Sequence, residues 1–496
     1  MKLILILLLI PSLTSGLTFK NGEVTDSNNP PSICKNLEFS QNKNISEVEI
    51  TFKLISEIDF PQYRSQTNGS LNENDGEFTE ARIQGVADFN NDGIDDIIIE
   101  YFSTLVGPVI LYGTKSSQFE ILKLQEVDAN SARINNREIN IEDINNDGFL
   151  DIIGFTTADY FMNDDSRGDG DYNLLLMNIG GKKFKSISLP EISKNQNHGG
   201  IVSDIDNNGY MDIIPLVEDL GLKTFPISNI NGKEFQLIKD EISKDITKYW
   251  IEDGNSADLN NDGYSDLIIS VEEAVPQSPK SRNKMGTLRI IYGDGNFDFK
   301  DNTQISLGRS WLSENEFKRV REEIGDRIHV GTSNIDIFDI NADGLLDIIE
   351  GQYIMDVEQN YWITSGFKVY TNKKDCFADE TDLFFPNQSI NRNFENNEFT
   401  TFIGNFYHED LNGDGFNDLI IRVWYDEYSF FENSKKIKSF PFIFINDKNT
   451  QYLPLPFEEA SQLKYLWTMV PGDFNGDGQI DLVGIEFDKI KLFKIN

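Results

Sequence analysis

The sequence predicts an all-β protein, a seven-bladed β-propeller of four-stranded antiparallel blades whose ring is closed by an N-terminal strand completing the last blade. Three observations predict it. An acidic loop of one design, with glycine always at its sixth position, recurs seven times. Each copy runs into a short β-branched apolar segment such as "DIIIEYF" or "DLIISV", the mark of a strand buried on both faces. A second pair of strand-like runs joined by a short turn then follows, as in "VILYGTKSSQFEIL" and "LLLMNIGGKKFKSISL". Each unit therefore reads strand A, loop, strand B, connection, strand C, hairpin, strand D.

From the N-terminus, residues 1–16 read as a signal peptide. Lys2 is a minimal charged region, Leu3 to Ile10 an apolar core too short to span a bilayer, and Pro11 breaks it. The small residues Thr14 and Gly16 place cleavage after Gly16. No later apolar run is long enough to cross a membrane, so the sequence carries no transmembrane anchor. The expected location is secreted or extracellular, or periplasmic or cell-surface in a bacterium.

Residues 17–80 form an N-terminal segment. Within it "EVEITFKLISEI", residues 47–58, alternates as a strand does. After the last loop the chain holds only "DLVGIEF" and "KIKLFKI", one strand short of a blade. The segment at 47–58 is therefore assigned as strand D of that blade, which removes the open sheet edge. Cys34 and Cys376 are the only cysteines; a disulfide and two free thiols both stand open. Asn44, Asn68 and Asn387 open glycosylation sequons, relevant in a eukaryotic source.

The seven repeats occupy residues 81–496, with loops starting at 88, 143, 204, 258, 339, 410 and 473. Oxygen-bearing side chains at positions one, three, five and nine, with a backbone carbonyl at seven, suit a hard cation such as Ca²⁺. The first loop offers Asp88, Asn90, Asp92, the Ile94 carbonyl and Asp96. The second offers Asp143, Asn145, Asp147, the Phe149 carbonyl and Asp151. The third exchanges two positions: Asp204, Asp206, Asn208, the Tyr210 carbonyl and Asp212. The fourth has Asp258, Asn260, Asp262, the Tyr264 carbonyl and Asp266, and the fifth Asp339, Asn341, Asp343, the Leu345 carbonyl and Asp347. The sixth has Asp410, Asn412, Asp414, the Phe416 carbonyl and Asp418, and the seventh Asp473, Asn475, Asp477, the Gln479 carbonyl and Asp481. An EF-hand would need a glutamate at position twelve between two helices; only Glu350 of the fifth copy meets the first condition, and the flanks read as strands.

These loops, followed by "DIII" or "DLVG", resemble FG-GAP/VCBS repeats, the family that forms the head of integrin α chains. The resemblance covers about residues 80–496. It implies a propeller stabilised by up to seven structural Ca²⁺ ions and a role in adhesion or recognition. Seven such ions would offset part of the formal charge of −38.

That charge repels nucleic acid and anionic lipid and points toward cations or neutral ligands, so no nucleic-acid partner is expected. Hydrophobic residues at 39% and aromatics at 12% supply a genuine core over the 496 residues. Up-and-down strands place A–B and C–D loops on one face and the long, dissimilar B–C and D–A connections on the other. The latter face is where binding is expected, to a glycan or an extracellular protein. Aromatic candidates are Tyr160, Phe161, Tyr361, Trp362, Trp424, Tyr425 and Tyr428; for each, packing against the loops is the competing assignment. Trp250 and Trp467 fall in strand A segments.

"GRSWLSENEFKRVREEIGDR" carries a Ser313–Glu316 capping box and an apolar stripe of Phe317, Val320 and Ile324, which predicts a short helix. Arg167-Gly168-Asp169 forms an adhesive tripeptide that chance also produces, and Asp165, Asp169 and Asp171 offer a further cation cluster. His198, His329 and His408 lie near strand A of different blades, beside no catalytic motif. No catalytic residue is assigned. The leading expectation is a binding or adhesion module. The alternative is a carbohydrate-active enzyme, a polysaccharide lyase or hydrolase, with a carboxylate pair brought together by the fold. Oligomeric state stays open.

Overall fold

The computed structural model describes residues 32–33, 50–59, 81–101, 108–123, 136–156, 173–190, 197–217, 225–238, 249–273, 287–297, 299, 304–307, 318, 322, 328–356, 361–385, 401–425, 443–448, 451–455, 463, 466, 468–486 and 489–496. Among them the strands form seven antiparallel blades. Blade 1 runs Ala81–Ala87, Asp96–Tyr101, Val109–Gly113 and Phe119–Lys123 as strands A to D. Blades 2 to 6 repeat that order, with A strands Asn136–Glu142, Asn197–Ser203, Tyr249–Ala257, Ile328–Phe338 and Thr401–Glu409. Every A–B turn is one of the seven acidic loops. The A strands of neighbouring blades touch all the way round, so they form the inner ring.

Blade 7 consists of Thr468–Gly472, Asp481–Glu486, Lys489–Ile495 and, as its D strand, Phe52–Asp59. The N-terminal segment therefore closes the ring as its alternation indicated. Thr51 and Asn496 exchange both backbone hydrogen bonds, at 3.1 and 3.0 Å, and Lys53 pairs with Lys494 two residues on. Phe52, 2% exposed, is the strand's inward anchor and packs with Leu482 and Phe493.

Seven apolar clusters hold the blades, one at each interface. Blades 1 and 2 meet through Phe89, Ile98, Ile152 and Leu176, and blades 2 and 3 through Phe155, Leu175 and Ile213. Interfaces 3–4, 4–5 and 6–7 follow the same plan. Blades 5 and 6 add aromatic packing, with Phe385 edge-on to Phe444 at 5.2 Å and to Phe367 at 4.9 Å. The seventh cluster joins Val470, Phe474 and Val483 of blade 7 to Ile83, Ile97 and Ile99 of blade 1. No interface is left open, which is what a closed ring requires.

Blade 5 departs from the plan. A two-residue strand, Ser32–Ile33, adds in parallel to the outer edge of its D strand, Cys376–Asp379. Cys376 is disulfide-bonded, and Cys34 is the chain's other cysteine. The N-terminal segment is thus fastened to blade 5 before it reaches blade 7. The enclosed loop of more than 300 residues gives a stabilisation on the order of 5 kcal/mol in the chain-entropy picture.

Two expectations change. Tyr361 and Trp362, expected on a B–C connection, lie instead in a long strand, Tyr361–Asn372, which follows the long strand Asp347–Asp356 after residues 357–360. Tyr361 pairs with Asp356 and Trp362 with Met355, so both belong to a strand. Likewise Trp424 and Tyr425 end strand B of blade 6, paired with Phe402 and Thr401. Aromatic residues favour a pleated surface, and here they prolong strands instead of decorating loops. In the expected helix, Lys318 and Glu322 are helical and form an i,i+4 ion pair at 3.8 Å; the rest of that stretch lies outside the described residues. A one-turn helix, Thr381–Phe384, follows blade 5 and buries Phe384.

Candidate metal centres

The sequence folds each acidic loop the same way. Positions four and six both take positive φ: Asn146 and Gly148 at 55° and 88°, for example, and even Ala342 at 55°. Asparagine and glycine tolerate this conformation, which explains the "NNDG" and "NGDG" runs. The first aspartate then accepts the position-five and position-six N–H groups. In the second loop these bonds are 3.1 Å from Asp147 and 2.8 Å from Gly148. The third residue also accepts the position-five N–H, from Asp147 to Asn145 at 2.8 Å. Side-chain oxygens of positions one and three are thereby drawn to one side of the turn.

Position nine is buried. In six loops one of its oxygens accepts the N–H of position two and the other an N–H at the end of strand C. Asp151 takes those of Ile144 at 3.0 Å and Asn178 at 2.6 Å. It is therefore a staple between loop and strand as well as a candidate ligand. Burial pushes this carboxyl up to about 7 in six loops and to about 8 at Asp96; a bound cation would favour its ionised form. The donor set fits a hard divalent cation. In the third loop Asp204, Asp206 and Asp212 bring ligand oxygens within 4.8 Å of one another. Glu350 takes no part. It is buried in strand B of blade 5 and accepts from Thr332 Oγ1 at 2.7 Å and Gln352 Nε2 at 2.9 Å.

A second constellation lies on the inner ring. Six of the seven A strands carry a β-bulge, which re-aims side chains at mid-strand. Glu138 of blade 2 and Asp253 of blade 4 meet across Gly199 of blade 3. A Cβ on Gly199 would lie 2.1 Å from Glu138 Oε2 and 3.2 Å from Asp253 Oδ1. Burial first, and then the charge of Asp253, raise Glu138 well above the ordinary carboxyl range. Asp336 of blade 5 also faces Asp253. Across the ring, the buried Arg422 of blade 6 donates to the Ile83 carbonyl of blade 1 and pairs with Tyr407.

Residues 410–484, spanning the sixth and seventh loops, match the FG-GAP-like repeat family. The chain thus carries FG-GAP-like repeats within a seven-bladed β-propeller. A curated relative, phosphatidylinositol-glycan-specific phospholipase D of Dictyostelium discoideum, is 31% identical over 153 residues. The match takes in 30% of this propeller and 14% of the relative. Among solved structures, rhamnogalacturonan lyase YesW aligns at 10% identity and a TM-score of 0.39, over 88% of this chain and 74% of that one. A putative exo-β-1,3-galactanase from Bifidobacterium bifidum s17 aligns at 8% and 0.33, over 60% and 89%.

The FG-GAP propeller brings all seven predicted loops to one end of the ring and leaves other predicted residues elsewhere. Tyr361, Trp362, Trp424 and Tyr425 stand in strands at the opposite end. Tyr160, Phe161, Tyr428, the Arg167–Asp169 tripeptide and the three sequons lie outside the described residues. His408 is structural. It stacks on Phe338 at 4.1 Å and bonds Tyr452 Oη at 3.0 Å, and burial lowers it to about 4.

Sequence reading missed how the loops fasten to one another. The fourth-position asparagines Asn91, Asn146 and Asn207 each donate to the sixth-position glycine carbonyl of the next loop, at 2.6, 2.6 and 3.2 Å. Asn178, Asn229 and Asn372 at the ends of C strands donate back to the second-position carbonyl of the preceding blade at 2.7 to 2.8 Å. The signal was present as a recurring asparagine before the hairpin, in "MNIGG" and "SNING".

Proposed function

We propose that this FG-GAP propeller is an exported, calcium-stabilised binding module that recognises a glycan or an extracellular protein with the face opposite its metal loops. The observation that carries the reading is the contrast between the two ends of the ring. One end is made of seven acidic loops of shared design, of which the first four are bonded in series through Asn91, Asn146 and Asn207. The connections leaving the other end vary widely, from two residues at 487–488 to seventeen at 157–173 and at 426–442 among the B–C links alone. Variable connections on a rigid scaffold are where recognition is commonly built.

The disulfide at Cys376 supports export to an oxidising compartment. No described helix is long and apolar enough to cross a membrane. The cleaving-enzyme alternative calls for two carboxyl groups roughly 5 to 9.5 Å apart, with a sugar between them. Glu138 and Asp253, on either side of Gly199, are the pair to substitute should turnover be found.

A glycan array that includes phosphatidylinositol-glycan headgroups, probed in calcium and in EDTA with product analysis of every hit, tests the reading. We expect saturable, calcium-dependent binding without turnover. Replacing residues 157–172 by a Gly/Ser linker should weaken binding of such a ligand while the melting temperature holds. Turnover of a bound glycan would transfer the protein to the enzyme reading. Failure to bind any glycan or any extracellular protein in a matching screen would overturn the proposal.

A further inference from the structure

We propose that Lys494 supplies the cation of the seventh loop, so that this loop is held by an ammonium group in place of a divalent ion and the propeller carries at most six metals. This rests on the reading that the loops bind calcium.

The seventh loop shares its first five positions with the others but not its ninth. Asp477 N–H still donates to Asp473 Oδ1 at 3.1 Å and Asn475 Oδ1 at 3.0 Å, and Gly478 N–H to Asp473 Oδ2 at 2.8 Å. In the other six loops both oxygens of the ninth aspartate accept backbone N–H groups. Asp481 accepts neither. Its Oδ2 takes the Asn475 side-chain amide at 2.5 Å, and its Oδ1, fully buried, has no hydrogen-bond partner. A buried carboxylate oxygen left without a donor needs positive charge close by.

The chain supplies that charge itself. Lys494 is the cross-strand partner of Asp481, and its Nζ lies 2.5 Å from Asp477 Oδ2. The ammonium thus pairs with the position-five carboxylate from the strand residue that faces position nine, and the charges of Asp481 and Asp473 act on it at longer range. Extending the strand B–strand C register of the other blades by one step puts Tyr112, Met177, Ser228, Tyr292, Thr371 and Ile445 at the same place. None is cationic. A divalent ion bound among the same oxygens would face a like charge a few ångströms away, and Asn475 would have to turn its amide out of the site.

The consequence concerns closure. Blade 7 joins the two ends of the chain, and Lys494 pairs with Lys53 of the closing strand on its other side. A built-in ammonium lets this blade close without waiting for metal.

The test is calcium counted per chain by elemental analysis, after equilibration at saturating calcium, in the full-length protein and in Lys494→Gln. We expect the variant to hold one more ion than the wild type. In EDTA it should melt below the wild type, and calcium should raise its melting temperature by more. Equal counts, or seven ions in the wild type, would overturn the inference while leaving the calcium reading intact; the wild-type count decides this even if the variant fails to fold. Calcium absent from both proteins would overturn the inference together with the reading beneath it.

Discussion

At the scale of single residues, the inner ring places Glu138 and Asp253 in contact although they belong to blades 2 and 4. Sequence could not show this, because the two are far apart in the chain and join only when Gly199 of the intervening blade leaves room for them. The folded state holds their protons more tightly than the unfolded chain does, since burial raises both carboxyls. That stabilisation is fully present below the ordinary carboxyl values of about 4 and is lost as the pH rises toward the raised folded values. Glu138→Gln removes the repulsion and keeps a hydrogen-bond donor. In saturating calcium, thermal melts of variant and wild type should converge near pH 5 and separate at pH 8. The variant should then be the more stable by roughly 1 kcal/mol. Parallel curves at both pH values would show that burial does not raise the pair. The loop glycines, by contrast, were legible one residue at a time, because a positive φ restricts the residue type directly.

At the scale of elements, the closing strand was readable because two local facts agreed: the last blade lacks a strand, and residues 47–58 alternate. Its energetics follow from the pairing. Thr51 and Asn496 form a hydrogen-bonded pair, so Lys53, two residues along, also turns its N–H toward the partner strand. Phe52→Ala should cost about 3 kcal/mol in chemical denaturation, and Lys53→Pro should lower the melting temperature by removing a ladder bond. Unchanged stability in both variants would mean that the segment does not close the ring. Other elements were misread for a physical reason. Tyr361, Trp362, Trp424 and Tyr425, expected in variable loops, are strand residues because a neighbouring strand pairs alongside each of them. The outer parallel strand at Ser32–Ile33 has two residues and carries no periodic signal at all.

At the scale of the whole molecule, the repeat count gave the blade count, and the seven interface clusters give the ring. What repetition could not convey is how neighbouring loops are bonded into a belt through Asn91, Asn146 and Asn207, or where that uniformity stops, at the lysine-filled seventh loop. Because these bonds join the first four acidic loops in series, a cation that ordered one of them would also support its neighbour. Carboxylates gathered at one end of the ring, in a chain of formal charge −38, repel one another when no cation is bound. Ions that bind only the folded loops stabilise the fold by mass action, and magnesium, with its stricter octahedral demand, replaces calcium poorly in such sites. The central claim is therefore tested most directly by thermal unfolding of the full-length protein in EDTA, in calcium and in magnesium. The account predicts a melting temperature that falls in EDTA, returns with calcium, and returns far less with magnesium. Identical melts in all three conditions would contradict it.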